Sequence, residues 1–218
     1  MPNKTKLDKM LDGRQYRAFT DVAVKEEDEG RSVEGYATTF DVPYLLWRDG
    51  DYEVWEKVDK RAFDKTDMTD VIFQYNHEGR VFARQSNGTL SLNADDHGLH
   101  IVADLGGTEI GRQLYEEIKG GYTNKMSFGF RVNDDSRETV EEDGLIKITR
   151  TILGIEKLYD VSAVSIPAND ATAISARNFC EGVIEEVRAE RLKAEQRKAQ
   201  IERIKKLTEV QINEREDN

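Results

Sequence analysis

The sequence predicts an α+β fold that is mainly β, with helices flanking the strands and a long helix at the C-terminal end. Three observations carry this. Short stretches of alternating apolar and polar residues recur between Tyr16 and Ile166, separated by Gly, Asp and Asn turn signals. Within that region, the segment from Thr108 to Gly121 has helical spacing. From Phe179 onward proline is absent, Gly182 is the lone glycine, and Glu, Lys, Arg, Ala and Gln dominate.

Taken in order, residues 1–15 are polar and mildly basic and are expected to form a flexible arm. Alternation over Arg14–Phe19 and Ser32–Ala37 predicts two strands, joined by the charged turn Glu26–Gly30. Residues 41–51, with Pro43 and Asp49-Gly50, read as a loop, and Tyr52–Val58 as a short strand. Segments 71–77, 88–93 and 98–105 predict further strands, joined by Asn87-Gly88 and Asp95-Asp96-His97-Gly98. Thr108 can cap a helix with a stripe of Ile110, Leu114 and Ile118, ended by Gly120-Gly121. A strand around Ser127, an acidic loop over 134–143, a strand at about 145–153 and a last strand Tyr159–Ile166 follow, with Pro167 as the stop. In the tail, Ile201, Ile204, Leu207 and Val210 recur every three residues, with Val187 and Leu192 placed irregularly before them. Such a thin stripe fits either a solvated helix or one that pairs with a partner helix.

A chain of 218 residues holds one ordinary domain plus an appendage. Its net charge of −11 lies in the body, because residues 181–218 are nearly neutral. An acidic body argues against broad nucleic-acid binding and against docking on an anionic membrane. Cys180 is the single cysteine, so no disulfide framework and no cysteine-type metal cluster is available, and a partly buried free thiol near a helix start is expected. No apolar run reaches the length of a membrane span and no secretory h-region is visible, so a soluble, intracellular protein is expected.

The chemistry centres on Lys125-Met126-Ser127-Phe128-Gly129-Phe130. Period two puts Met126, Phe128, Phe130 and Val132 on an apolar face, and Lys125, Ser127, Gly129 and Arg131 on the other. The Ser127 hydroxyl therefore stands in a polar strip beside a glycine that admits close approach by another backbone. Three histidines are candidate bases. His77 ends a strand whose Val71, Phe73 and Tyr75 share its face; His97 lies in a turn; His100 lies in the strand 98–105. Spacing alone does not join a serine to a histidine, and a solvated serine with a packing histidine is the other reading.

Several separated segments add a resemblance. They are Gly35–Phe40, Arg61-Ala62-Phe63, Asn76-His77-Glu78, Ala83-Arg84, Gly98-Leu99, Gly107-Thr108, Lys125–Phe130, and Leu158–Ser162 leading into Ile166–Asn169. Their order resembles that of the prohead (capsid maturation) serine proteases of tailed bacteriophages, which are related in fold to the herpesvirus assemblins. The resemblance spans roughly residues 14 to 175. It implies a herpesvirus-assemblin-like β-barrel with flanking helices over residues 16–178, followed by a scaffold-like helical tail over 179–218. It also implies Ser127 as nucleophile, His77 as general base and Asp160 as the orienting acid. Glutamate is more usual at the last position, and Glu156 is an alternative because alternation puts it on the face of Leu158 and Asp160. The third member in the assemblins is a histidine, so His97 and His100 are further alternatives. The backbone near Gly129, Arg84 and Arg131 are candidate oxyanion donors, with a surface ion pair as the other reading of Arg131.

The implied protein is a serine endopeptidase that needs no cofactor or metal. It would cleave the scaffolding region of the capsid protein, and itself, inside the assembling procapsid in the host cytoplasm. The implied partners are the major capsid protein with its scaffolding segment and further copies of the chain, with no nucleic acid and no membrane. A non-enzymatic internal scaffold and a small β-barrel binding module are the alternatives, and neither needs Ser127 or His77.

Overall fold

In a computed structural model, which describes residues 13–25, 30–165 and 170–216, the alternating segments become ten strands of one sheet. These are β1 (Gln15–Val24), β2 (Ser32–Thr39), β3 (Tyr44–Asp49), β4 (Tyr52–Val58), β5 (Ile72–Tyr75), β6 (Glu78–Arg84), β7 (Leu90–Ala94), β8 (Gly98–Asp104), β9 (Lys125–Glu142) and β10 (Leu145–Val164). Helix α1 (Glu109–Lys119) lies between β8 and β9, and α2 (Asp170–Glu216) follows β10.

Strand neighbours run β3-β4-β10-β9-β1-β2-β8-β7, with β5 and β6 branching from β10. Among the described residues this path is open at β3 and β7, so a branched open sheet takes the place of the expected closed barrel. The branch arises because β10 is long enough for two partners on one edge. Residues 146–152 pair parallel with β4 and residues 160–163 pair parallel with β5, while β9 occupies the other edge.

Several elements differ from the sequence expectation. The acidic stretch 134–143, expected as a loop, is the outer half of β9 closed on β10 by Asp143-Gly144. Both turn residues have positive φ (50° and 82°), as a two-residue type I′ hairpin requires. Most of the acidic side chains there point into solvent, so their charge does not oppose strand formation. Residues 41–51, also expected as a loop, contain the edge strand β3, with Leu45 largely exposed. The two strands expected at 145–153 and 159–166 are one, β10, which passes through Gly154 by way of bulges. Strand β6 was not expected at all. Gln15, at the end of the expected arm, is buried in β1. The rest of the arm before residue 13, the turn residues Glu26–Glu29 and Pro167 lie outside the described residues.

The apolar face of β9 is core, as alternation predicts: Met126, Phe128 and Phe130 have no exposed surface, and the two Phe rings stack at 4.3 Å. Each such side chain contributes about 1.5–3 kcal/mol by leaving water. Leu114 and Ile118 of α1 are buried, and Thr108 caps the helix by accepting from the Gly111 N–H at 3.0 Å. A buried ion network ties four strands together. Arg17 of β1 and Arg150 of β10 both donate to Glu56 of β4, at 2.9 and 2.8 Å, and Arg150 also donates to Asp135 of β9 at 2.7 Å. Burial alone would raise the Glu56 carboxyl, but the two guanidiniums bring it down to about 2.

The chain divides into compact units after Cys180, which is fully buried inside α2 rather than near a helix start. Within the second unit Leu192, Ile201, Ile204 and Leu207 are all exposed, and the Val210 side chain lies outside the described residues. No described helix is long and apolar enough to cross a membrane.

Candidate active site

Strand register builds the floor of the site. Ser127 of β9 stands opposite Ser162 of β10, and Gly129 stands between Asp160 of β10 and Tyr16 of β1. Opposed residues on antiparallel strands share a face, so Ser127, Ser162, Asp160 and Tyr16 project to the side away from Phe128. A bulge between Leu158 and Asp160 breaks the alternation of β10, which sends Leu158 to the core and Asp160 to this face.

His77 reaches the same place from the β5–β6 hairpin. It does not end the strand, as alternation suggested, but is the second residue of the two-residue turn Asn76-His77. The φ angles are 52° and 61°, a left-handed pair that Asn and His tolerate better than branched residues do. Asn76 fixes the turn to β10: its N–H donates to the Ala163 carbonyl at 2.9 Å, and its Oδ1 accepts from the Ser165 N–H at 3.1 Å. The strand that carries Asp160 therefore also holds the turn that carries His77.

The side chains form a chain of contacts. Nε2 of His77 is 2.5 Å from Ser127 Oγ, and its Nδ1 is 2.5 Å from Asp160 Oδ2. Ser162 donates to the same Oδ2 at 2.7 Å, and the Arg14 guanidinium donates to Oδ1. An ionised carboxylate accepts all three bonds, which keeps the ring proton on Nδ1 and leaves the Nε2 lone pair facing the Ser127 hydroxyl. Ser127 and Asp160 have no exposed surface and the His77 side chain is 5% exposed. Burial, and after it the charge of Arg14, hold the imidazole below its ordinary range, at about 4. His77 is thus neutral at neutral pH and able to accept a proton.

Gly129 makes room for this arrangement. A Cβ there would lie 2.3 Å from Asp160 Oδ1 and 2.8 Å from Arg14 Nε. The close approach expected at this glycine is real, but side chains make it rather than another backbone.

The alternatives stand elsewhere. Glu156 is exposed and pairs with Arg131 at 3.4 Å; it is the unpaired residue of the register shift between Ile155 and Lys157, and a further shift between Leu158 and Asp160 separates it from the Asp160 face. His97 and His100 pack against the Tyr36 ring, at 4.5 and 5.0 Å between ring centres. Arg84 is paired with Asp70. Sequence reasoning missed Arg14, Ser162 and Asn76. The adjacency of Ser162 to Asp160 across one residue was the available signal, whereas nothing in the pattern marked Arg14.

A family profile described as caudovirus prohead serine protease matches residues 20–188. No curated protein and no solved structure matches the chain.

Proposed function

The chain belongs to the caudovirus prohead serine protease family and is a serine peptidase, and from that premise we propose that Ser127, His77 and Asp160 are its catalytic residues. The observation that carries this is the unbroken line from Ser127 Oγ through both ring nitrogens of His77 to Asp160 Oδ2, with 2.5 Å at each junction. His77 takes the hydroxyl proton as Ser127 Oγ attacks the peptide carbonyl carbon, and a tetrahedral intermediate forms. The same proton passes from Nε2 to the leaving amine as the C–N bond breaks. Water, deprotonated by His77, then hydrolyses the acyl-enzyme and restores the serine. Asp160 holds the imidazole in the required tautomer and stabilises the imidazolium of each step without itself taking the proton. Because the site is buried, these fixed dipoles act in a low dielectric and are stronger than they would be in water.

The substrate in this reading is the scaffolding region of the major capsid protein, together with the chain itself, cut inside the procapsid in the host cytoplasm. Phage capsid maturation is the setting of the family. The acidic body supports a protein-facing enzyme. The exposed apolar residues Ile201, Ile204 and Leu207, recurring every three positions, support a tail that pairs with scaffolding helices and carries the enzyme into the shell. The experiment co-expresses the capsid protein with the protease or with its Ser127→Ala variant and follows intact masses over time. Capsid-protein and self-derived fragments are expected only with Ser127 present. Identical fragments from the alanine variant refute the assignment.

A further inference from the structure

We propose that Arg14 is a positioning residue that acts through Asp160: it holds Oδ1 so that Oδ2 is turned to His77, and it supplies the countercharge to a carboxylate otherwise buried beside a neutral ring. Arg14 lies just before β1 and outside the segment that matches the family profile.

Three observations converge on it. The partner carboxylate has no exposed surface, so this is not an ion pair between two solvated groups, whose contribution would be small. The guanidinium lies over two aromatic rings, with Cζ 5.1 Å from the centre of Tyr16 and 4.7 Å from that of Tyr159. And the missing side chain at Gly129 leaves the space that both Arg14 and Asp160 Oδ1 occupy.

The groups facing His77 are few. Asp160 and Ser162 face it from β10, Ser127 from β9, and Arg14 and Tyr16 from the start of β1, with the Tyr16 ring 4.4 Å away. Asp160 is the negative group among them and Arg14 the positive one. A buried carboxylate at 2.5 Å with no countercharge would draw a proton onto the imidazole and remove the base before any substrate arrives. Paired with Arg14, the carboxylate still orients Nδ1–H but exerts little net field on the ring. That balance is consistent with burial and Arg14 together depressing His77. A purely architectural arginine would leave the titration of His77 untouched, and this separates the two roles.

The proposal rests on the catalytic reading of Ser127 and His77, and its test is chosen so that the two can fail separately. The His77 ring is titrated by NMR in the full chain carrying Ser127→Ala, with and without Arg14→Gln. In parallel, labelling of the Ser127 protein by a fluorophosphonate is followed by intact mass from pH 5 to pH 8. With Arg14 present, His77 titrates near 4 and labelling changes little over that range. In Arg14→Gln the titration rises toward the free value of about 6.5, and labelling at pH 5 drops about thirty-fold relative to the parent. Arg14→Lys keeps the charge but loses the planar guanidinium that reaches Oδ1 over the two tyrosine rings, so it retains the low titration with labelling slowed about five-fold or more at every pH. An unmoved His77 titration in Arg14→Gln overturns the proposal. If Arg14→Gln does not fold, Arg14→Lys decides, and labelling equal to the parent at every pH overturns it. Labelling that survives Ser127→Ala instead sinks the catalytic reading and leaves the titration to judge Arg14.

Discussion

Gly129→Ala places one methyl group at the point where Asp160 and Arg14 meet, and its effect can be worked from the structure. The φ of Gly129 is not in the left-handed region, so alanine is allowed by the backbone, and the difficulty is space alone. The new Cβ would sit 2.3 Å from Asp160 Oδ1, whereas ordinary contact begins at 3.4 Å. Flanking strands fix β9, so the carboxylate is the group that yields. A retreat of about 1 Å stretches the Asp160–His77 bond beyond hydrogen-bonding range, and misplacement of that size lowers rates about 10²-fold. The ceiling is the loss of roughly 10⁴ expected when the orienting acid is removed outright. Overpacking should also lower stability by about 1–3 kcal/mol, which leaves a folded protein with a reduced Tm. The assay is the rate of fluorophosphonate labelling at pH 7.5, with thermal unfolding as the control for fold. A folded Gly129→Ala protein that labels within three-fold of the parent would refute the argument that the Asp160 carboxylate orients His77.

Three further outcomes are expected. His77→Ala should be as inactive as Ser127→Ala in capsid-protein cleavage, and the double variant no worse, because residues that share one step are not additive; additive losses would separate them. Asp160→Asn should slow cleavage by about 10⁴ through the wrong tautomer, while Glu156→Gln, which loses only an exposed pair with Arg131, stays within about two-fold. The depressed His77 also links stability to pH. Between pH 6.5 and about 4 the unfolded chain binds a proton that the folded chain does not, so stability falls as pH drops through that window, by up to about 3 kcal/mol in total. Denaturant unfolding at several pH values should show this slope in the parent and a shallower one in His77→Gln; equal slopes would show that His77 is not held neutral.

The face that carries Ser127 was legible because β9 alternates strictly over Met126 to Val132, with the core on the side of Met126, Phe128 and Phe130. Strand β10 was harder. Alternation grouped Glu156, Leu158 and Asp160, and bulges sent the three to solvent, core and site respectively. A bulge is decided by cross-strand pairing, which no local pattern records. The Asp143-Gly144 hairpin carried a readable turn signal that the surrounding charge obscured. The position of His77 in a left-handed turn had no glycine to announce it. Arg14 was illegible for a different reason: its partner is 146 residues away, and its role depends on space left by a third residue, Gly129. The closed barrel, inferred from resemblance, would have required edges that β3 and β7 do not pair.

The placement of β10 bears on when the enzyme can first act. Among the described residues it is the last strand in the chain, yet it pairs with β4, β5 and β9, carries Asp160, and, with Ser165 just after it, supplies the Ala163 carbonyl and Ser165 N–H that seat the Asn76-His77 turn. During synthesis, Ser127 and His77 are made before Asp160 and before the backbone groups that seat the Asn76-His77 turn. Long-range pairing of this kind is slow, since the loops it closes must be ordered before their contacts repay the lost entropy. On the proposed roles of Ser127, His77 and Asp160, a chain that lacks β10 has no oriented base, and competence waits on the docking of that strand.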